Sequence, residues 1–219
     1  TAQEVATDFS RSLVAQGQQV GVSIFDGDPE IRTVIDFTID ADAIADAIAG
    51  ISAADQLDPS TNLNGAVVSA LEVLDGIVNP SVEAELVSVA NLVVFTDGAD
   101  RAGRVTHDRA VRTINGSDHD VFVVALVEDE DVEELEELGD DGFFRTSDVA
   151  TLTDTFDELI ARLVAEVNKY YRVSYCSPLR SPRTTLKLTL TWEDSKASTS
   201  VSYPTKDFGP GCALPERSP

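Results

Sequence analysis

The spacing of apolar side chains changes period repeatedly along this chain, and each change predicts a new element. Val5, Phe9 and Leu13 recur every four residues, which predicts a helix over residues 2 to 16, ended by Gly17. Val20 to Phe25 reads as a strand, and Asp26-Gly27-Asp28-Pro29 as a turn. From Ile31 to Ile39 the pattern alternates, with Ile31, Thr33, Ile35, Phe37 and Ile39 on one face. Two strands joined by so tight a turn are antiparallel neighbours. Ala41 to Ile51 returns to helical spacing, with Ile44, Ile48 and Ile51 facing inward. A polar loop leads to Ser60-Thr61, followed by a helix over Leu63 to Ile77, a strand over 91 to 96 and a helix over His107 to Ile114. Val121 to Val127 is almost wholly apolar, as a parallel strand covered on both faces should be. A very acidic helix over Asp131 to Leu138, a short edge strand at Phe143-Phe144-Arg145 and an amphipathic helix over Leu152 to Val167 complete the series.

Strands alternating with helices predict an α/β domain: a doubly wound, mostly parallel sheet flanked by helices, over residues 1 to 168. From residue 169 onward the pattern is purely alternating. Tyr171 to Tyr175 and Leu186 to Trp192 read as strands, Glu193 to Lys196 as a turn, and Thr199 to Tyr203 as a return strand. Residues 169 to 219 are therefore expected to form a small antiparallel extension.

Composition narrows the function. With 39 acidic against 16 basic residues and a formal charge of −23, the chain lacks the basic footprint that nucleic acid or anionic lipid requires. It permits cation binding. No apolar run approaches the roughly 18 to 20 residues that span a bilayer, so direct membrane insertion is not expected. Met is absent, as expected of a fragment or a processed product. Cys176 and Cys212 fit no zinc spacing and have no nearby His. They flank the β-rich tail, which suits either a disulfide clamping it or two free buried thiols. A disulfide would imply an oxidising compartment and contribute about 3 to 4 kcal/mol.

The candidate chemistry lies in two phrases, Ser60-Thr61-Asn62-Leu63-Asn64-Gly65 and Phe95-Thr96-Asp97-Gly98. A hydroxyl at a helix start and a carboxylate at a strand's C-terminal end are hard oxygen donors suited to Mg²⁺. Both belong at the edge of an open α/β sheet where ligands bind. Singly, Thr61 could be a helix cap and Asp97 a turn residue. Together, in this element order, they resemble two loops of the metal-ion-dependent adhesion site of von Willebrand factor A-type domains. The run from Glu4 to Phe25 is similar to that family's first helix and following Val-Gly-x-x-x-Phe strand. The "Tyr-x-x-Ser-Tyr" segment and hairpin near the C-terminus are similar to those of its secreted bacterial members.

The resemblance implies a non-enzymatic adhesion module, secreted or displayed at a bacterial cell surface. In it Thr61 and Asp97 would hold Mg²⁺, with Ca²⁺ or Mn²⁺ as alternatives, and an acidic residue of a partner protein would complete the shell. Gly65 and Gly98 would let backbone approach closely. A metal-independent scaffold on the same fold is the second reading. The family's third loop, Asp-x-Ser-x-Ser after a central strand, would lie upstream of Thr1. Asp8-Phe9-Ser10-Arg11-Ser12 matches its letters, but seven residues before Val20 are too few for the crossover helix. That stretch is expected to be helix.

Other features read as ordinary surface. Asp26, Asp28 and Asp100 are expected as solvated loop acids, Glu128 to Glu137 as a solvated helix face, and Asn115-Gly116-Ser117 as a turn. His107 and His119 are expected at the surface. No dinucleotide fingerprint, phosphate loop or nucleophile elbow is present, so no enzyme is expected.

Overall fold

A computed structural model describes residues 2–78, 89–127, 132–146, 152–167, 175–193 and 195–209. Its elements are α1 (Ala2–Ala15), β1 (Val20–Ile24), β2 (Arg32–Thr38), α2 (Ala41–Gly50), α3 (Leu63–Val78), β3 (Asn91–Thr96) and α4 (His107–Asn115). They continue with β4 (Asp120–Leu126), α5 (Val132–Leu138), β5 (Gly142–Thr146), α6 (Leu152–Val167), β6 (Thr184–Trp192) and β7 (Ser195–Tyr203). The chain divides into two compact units, Thr1–Tyr170 and Tyr171–Pro219.

β4 organises the first unit. It pairs in parallel with β3 on one side and β5 on the other. Successive side chains of a strand point to opposite faces, and β4 uses both. Val121, Val123 and Ala125 enter a core with Leu63, Val67, Leu71 and Leu74 of α3, Ile114 of α4, and Leu135 and Leu138 of α5. Phe122 and Val124 enter a second core with Phe9 and Leu13 of α1, Phe144 of β5, and Phe156, Leu159 and Leu163 of α6. The apolar run predicted at Val121 is thus a strand covered on both faces. Phe9 packs against Phe156 with ring centroids 4.7 Å apart and planes tilted by 34°, so α1 and α6 share one layer.

β1 and β2 form an antiparallel pair. No ladder joins β1 to β3 among the described residues. The pair nevertheless occupies the same layers as the parallel sheet. Val20 of β1 and Val93 of β3 both rest on the α1/α6 core, and Phe25 and Leu92 both rest on the α3 core. β2 stops at Thr38, short of Ile39, because Asp40 caps α2, accepting from the N–H groups of Asp42 and Ala43 at 3.1 and 3.0 Å. Gly17 ends α1 at φ +81°, a conformation that costs glycine nothing.

The second unit holds β6 and β7, two nine-residue antiparallel strands in register from Thr184 opposite Tyr203 to Trp192 opposite Ser195. The turn is therefore shorter than expected. Ser195 and Lys196 belong to the strand, and Glu193 takes the left-handed backbone (φ +48°) that a two-residue hairpin loop demands. Of the strand expected at Tyr171 to Tyr175, residues 171–174 lie outside the described residues, and Tyr175 belongs to no strand.

Candidate functional site

Three loops meet at the C-terminal edge of the sheet layer: Asp26 to Asp28 after β1, Asp58 to Asn62 before α3, and Asp97 to Arg104 after β3. Asp26 is their hub. Its Oδ1 accepts from the Asp28 N–H at 2.8 Å. Its Oδ2 accepts from the Leu57 N–H at 2.7 Å, the Asp58 N–H at 3.4 Å and the Arg32 guanidinium at 3.0 Å. Burial pushes the Asp26 carboxyl up, but the backbone donors and Arg32 outweigh it and hold it below the usual carboxylate value. The reading of Asp26 as a solvated turn acid is therefore corrected. It is buried and fully engaged.

The other bridges follow the same logic. The Asp26 carbonyl accepts the Asn62 N–H at 2.8 Å, and the Asn62 amide donates to the Asp28 carbonyl at 2.8 Å. Arg104 donates through Nε to the Gly27 carbonyl and pairs with Asp58 Oδ2 at 3.1 Å. Asp100 is also not a free loop acid. Its Oδ2 accepts the Asn64 N–H at 2.9 Å, satisfying a donor in the first turn of α3, and its Oδ1 accepts the Gly103 N–H at 2.7 Å. The Thr61 carbonyl takes the N–H groups of Arg101 and Ala102 at 2.8 and 2.9 Å, bringing the β3 loop onto the start of α3. Thr96 Oγ1 donates to the Gly98 carbonyl at 2.6 Å, folding the chain just past Asp97.

Within this network several side-chain oxygens take no hydrogen bond among the described residues, among them the Ser60 hydroxyl, the Asp28 carboxylate and the buried Asn62 Oδ1 and Asn64 Oδ1. The same holds of the Thr61 hydroxyl, which is not a helix cap here, and of the exposed Asp97 carboxylate. Thr61 and Asp97 are the two donors the sequence singles out. Gly65 behaves as expected, because a Cβ there would lie 2.4 Å from the Asn62 amide. Gly98 does not. Its Cβ position is open, and its φ lies outside the left-handed region.

The Asp8 to Ser12 stretch lies within α1, where Ser10 Oγ donates to the Ala6 carbonyl at 2.8 Å and Ser12 Oγ to the Asp8 carbonyl at 2.9 Å. Both hydroxyls are spent on their own helix. His119 is buried rather than at the surface, its Nε2 3.2 Å from Asp75 Oδ1. His107 is half-buried, with Nε2 2.7 Å from Glu137 Oε2. Along the acidic run Glu133, Glu134, Glu136 and Glu137 are exposed, and residues 128–131 lie outside the described residues. Cys176 is half-buried, and Cys212 lies outside the described residues. Among the described residues no three His, Cys, Asp or Glu side chains converge as a metal cluster, and no helix is long and apolar enough to cross a membrane.

Sequence reasoning missed Asp26, Gly27, Asn62 and Arg104 as the frame of this edge. An Asp-Gly after a strand carries the signal of a turn, and nothing local announces partners more than thirty residues away.

A family model described as the von Willebrand factor type A domain matches residues 1–158. No curated protein sequence matches the chain. Among solved structures, the conserved hypothetical protein BatB from Bacteroides thetaiotaomicron is 15% identical with a TM-score of 0.56, over 77% of this chain and 89% of its own. Proximal thread matrix protein 1 from the mussel byssus, in its second crystal form, is 16% identical with a TM-score of 0.58, over 74% and 43%. The manganese-loaded TRAP protein of Plasmodium vivax is 12% identical with a TM-score of 0.52, over 91% and 85%. At such identities the likeness is one of fold. With a parallel sheet flanked by helices, and a small antiparallel sheet following it in the sequence, the chain belongs to the von Willebrand factor type A domain family.

Proposed function

We propose that this chain is a non-enzymatic protein-binding module that grips an acidic residue of a partner through a divalent cation held by Thr61 and Asp97. Domains of this family generally mediate protein–protein interaction. One observation carries the finer reading. At a rim where Asp26, Asp58 and Asp100 are engaged by backbone N–H groups and arginines, the Thr61 hydroxyl and the Asp97 carboxylate remain uncommitted. Both are hard oxygens, which fits Mg²⁺, with Mn²⁺ or Ca²⁺ as alternatives. TRAP, similar in fold, carries manganese in its solved structure.

Thr61 is positioned by its own carbonyl, tied to Arg101 and Ala102, and Asp97 by the Thr96–Gly98 turn. The frame holds the two donors, and the donors hold the ion. The ion, when bound, supplies an open coordination position for a carboxylate. The resemblance expects a third loop from a strand lying between β1 and β3, and it is there that the described residues carry no ladder. An extracytoplasmic setting and a Cys176–Cys212 disulfide accompany this reading.

A metal-independent scaffold is the second reading, favoured by the lack of any acid, His or Cys cluster among the described residues. Calorimetric titration of Mg²⁺ into the chain, with Thr61→Ala and Asp97→Ala beside it, separates the two. Saturable binding lost in both variants supports the cation site. Absence of binding, both here and with the Asp-x-Ser-x-Ser strand supplied, leaves the scaffold.

A further inference from the structure

Basic side chains are scarce in the first unit and unevenly placed. Residues 1–170 hold 35 acidic residues and 9 basic ones, and four of the nine, Arg101, Arg104, Arg109 and Arg112, fall between residues 101 and 112. That run begins in the loop after β3, at the rim of the candidate site, and continues into α4. The arginines of the rim do different things. Arg32 is held by Asp26, and Arg104 by Asp58 and the Gly27 carbonyl, so both serve the frame. Arg101 is exposed, and among the described residues its guanidinium meets no carboxylate, carbonyl or ring. Two acids share its loop. Asp100 spends its oxygens on the Asn64 and Gly103 N–H groups, and Asp97 makes no pair with it. The backbone of Arg101 is fixed all the same, because its N–H donates to the Thr61 carbonyl at 2.8 Å. One hydrogen bond and one short loop thus gather Thr61, Asp97 and a free guanidinium.

Resting on the cation reading above, we propose that Arg101 determines the specificity of this site by taking a second carboxylate of the partner. The partner then presents two adjacent acidic side chains, one to the ion and one to the guanidinium. An ion with an open position accepts any carboxylate that reaches it, so the ion alone does not choose among acidic residues. The guanidinium does, because its planar fork matches a carboxylate through two parallel N–H···O bonds. A lone acidic residue completes the ion's shell and leaves Arg101 empty. Charge points the same way. An acidic partner is repelled by the unit as a whole, and the four arginines lower that repulsion in the segment that leaves the site. Nucleic acid, charged along its whole length, meets the acidic surplus as well, whereas a two-carboxylate segment engages the site alone.

The test uses the form of the chain that binds Mg²⁺ in the titration above. The probes are blocked glycine-serine hexapeptides carrying either one glutamate or two adjacent ones, titrated by NMR with Mg²⁺ present. Wild type should bind the two-glutamate peptide about tenfold tighter, as a hydrogen-bonded charge pair allows. Arg101→Gln keeps the backbone N–H to Thr61 and should retain Mg²⁺ while binding the two peptides alike. Arg101→Lys keeps the charge without the fork and should recover only part of the preference. Equal binding of the two peptides by wild type, apart from the statistical factor for two equivalent acids, overturns the proposal and leaves the cation reading standing. A preference that survives in Arg101→Gln does the same. A preference undiminished in EDTA would put acid recognition on arginine without the ion and overturn the shared grip. A chain that binds no Mg²⁺, with or without the upstream strand, brings down the cation reading and this inference with it.

Discussion

Asp26 shows how much one carboxylate can organise. It gathers backbone from its own turn and from Leu57 and Asp58, and it pairs with Arg32, all from a buried position. Asp26→Asn keeps the volume but removes the charge and turns one acceptor into a donor facing N–H groups. Breaking a buried pair from one side costs about 3 to 5 kcal/mol. Urea denaturation should therefore show a loss of about that size, and a change under about 0.5 kcal/mol would refute the hub role. The same carboxylate has a sign in pH. Its folded value lies below the ordinary one, so its contribution is fully present above the unfolded value of about 4. That contribution is lost as pH falls through the lower folded value. Wild type should lose stability on acidification through that window faster than Asp26→Asn, and parallel curves would refute it.

At the scale of elements, the order of helices and strands was legible because each carried a clean period. The apolar run of β4, the four-residue stripe of α1 and the alternation of β2 all formed where expected. The hairpin's turn is shorter than its residue types suggest, because Ser195 and Lys196 have turn-like side chains, yet pairing with Trp192 and Thr191 claims them for the strand. The site was legible only in part. Thr61 and Asp97 announce themselves by residue type at element ends, whereas the frame around them depends on pairs distant in sequence, such as Asn62 with Asp28 and Arg104 with Asp58. The start of α3 makes the difference measurable. A Cβ at Gly65 would meet the Asn62 amide at 2.4 Å, and that amide is buried and bonded to the Asp28 carbonyl, so it cannot simply swing away. Gly65→Ala should cost about 1 to 3 kcal/mol, the price of leaving buried polar groups unpaired. Gly98→Ala has open space and an ordinary φ, and should stay within about 0.5 kcal/mol of wild type. Thermal melts of the two variants side by side decide the matter, and equal effects would mean that the crowding at Gly65 is relieved without loss.

For the molecule as a whole the governing quantity is the concentration of acid in one unit. A first unit holding 35 acidic and 9 basic residues repels itself, and folding brings those charges closer together. Added salt screens such repulsion over a Debye length of about 8 Å at physiological strength, and over less as salt rises. Sodium chloride should therefore raise the melting temperature by several degrees, since about 1 kcal/mol moves a domain of this size by about 2 to 4 °C. The Asp26–Arg32 pair is screened less than the surface charges, because its carboxylate is buried although Arg32 is 31% exposed, so much of its contribution stays while the surface penalty falls. Differential scanning calorimetry across a chloride series checks it, and a melting temperature that is flat or falls with salt would refute the repulsion argument.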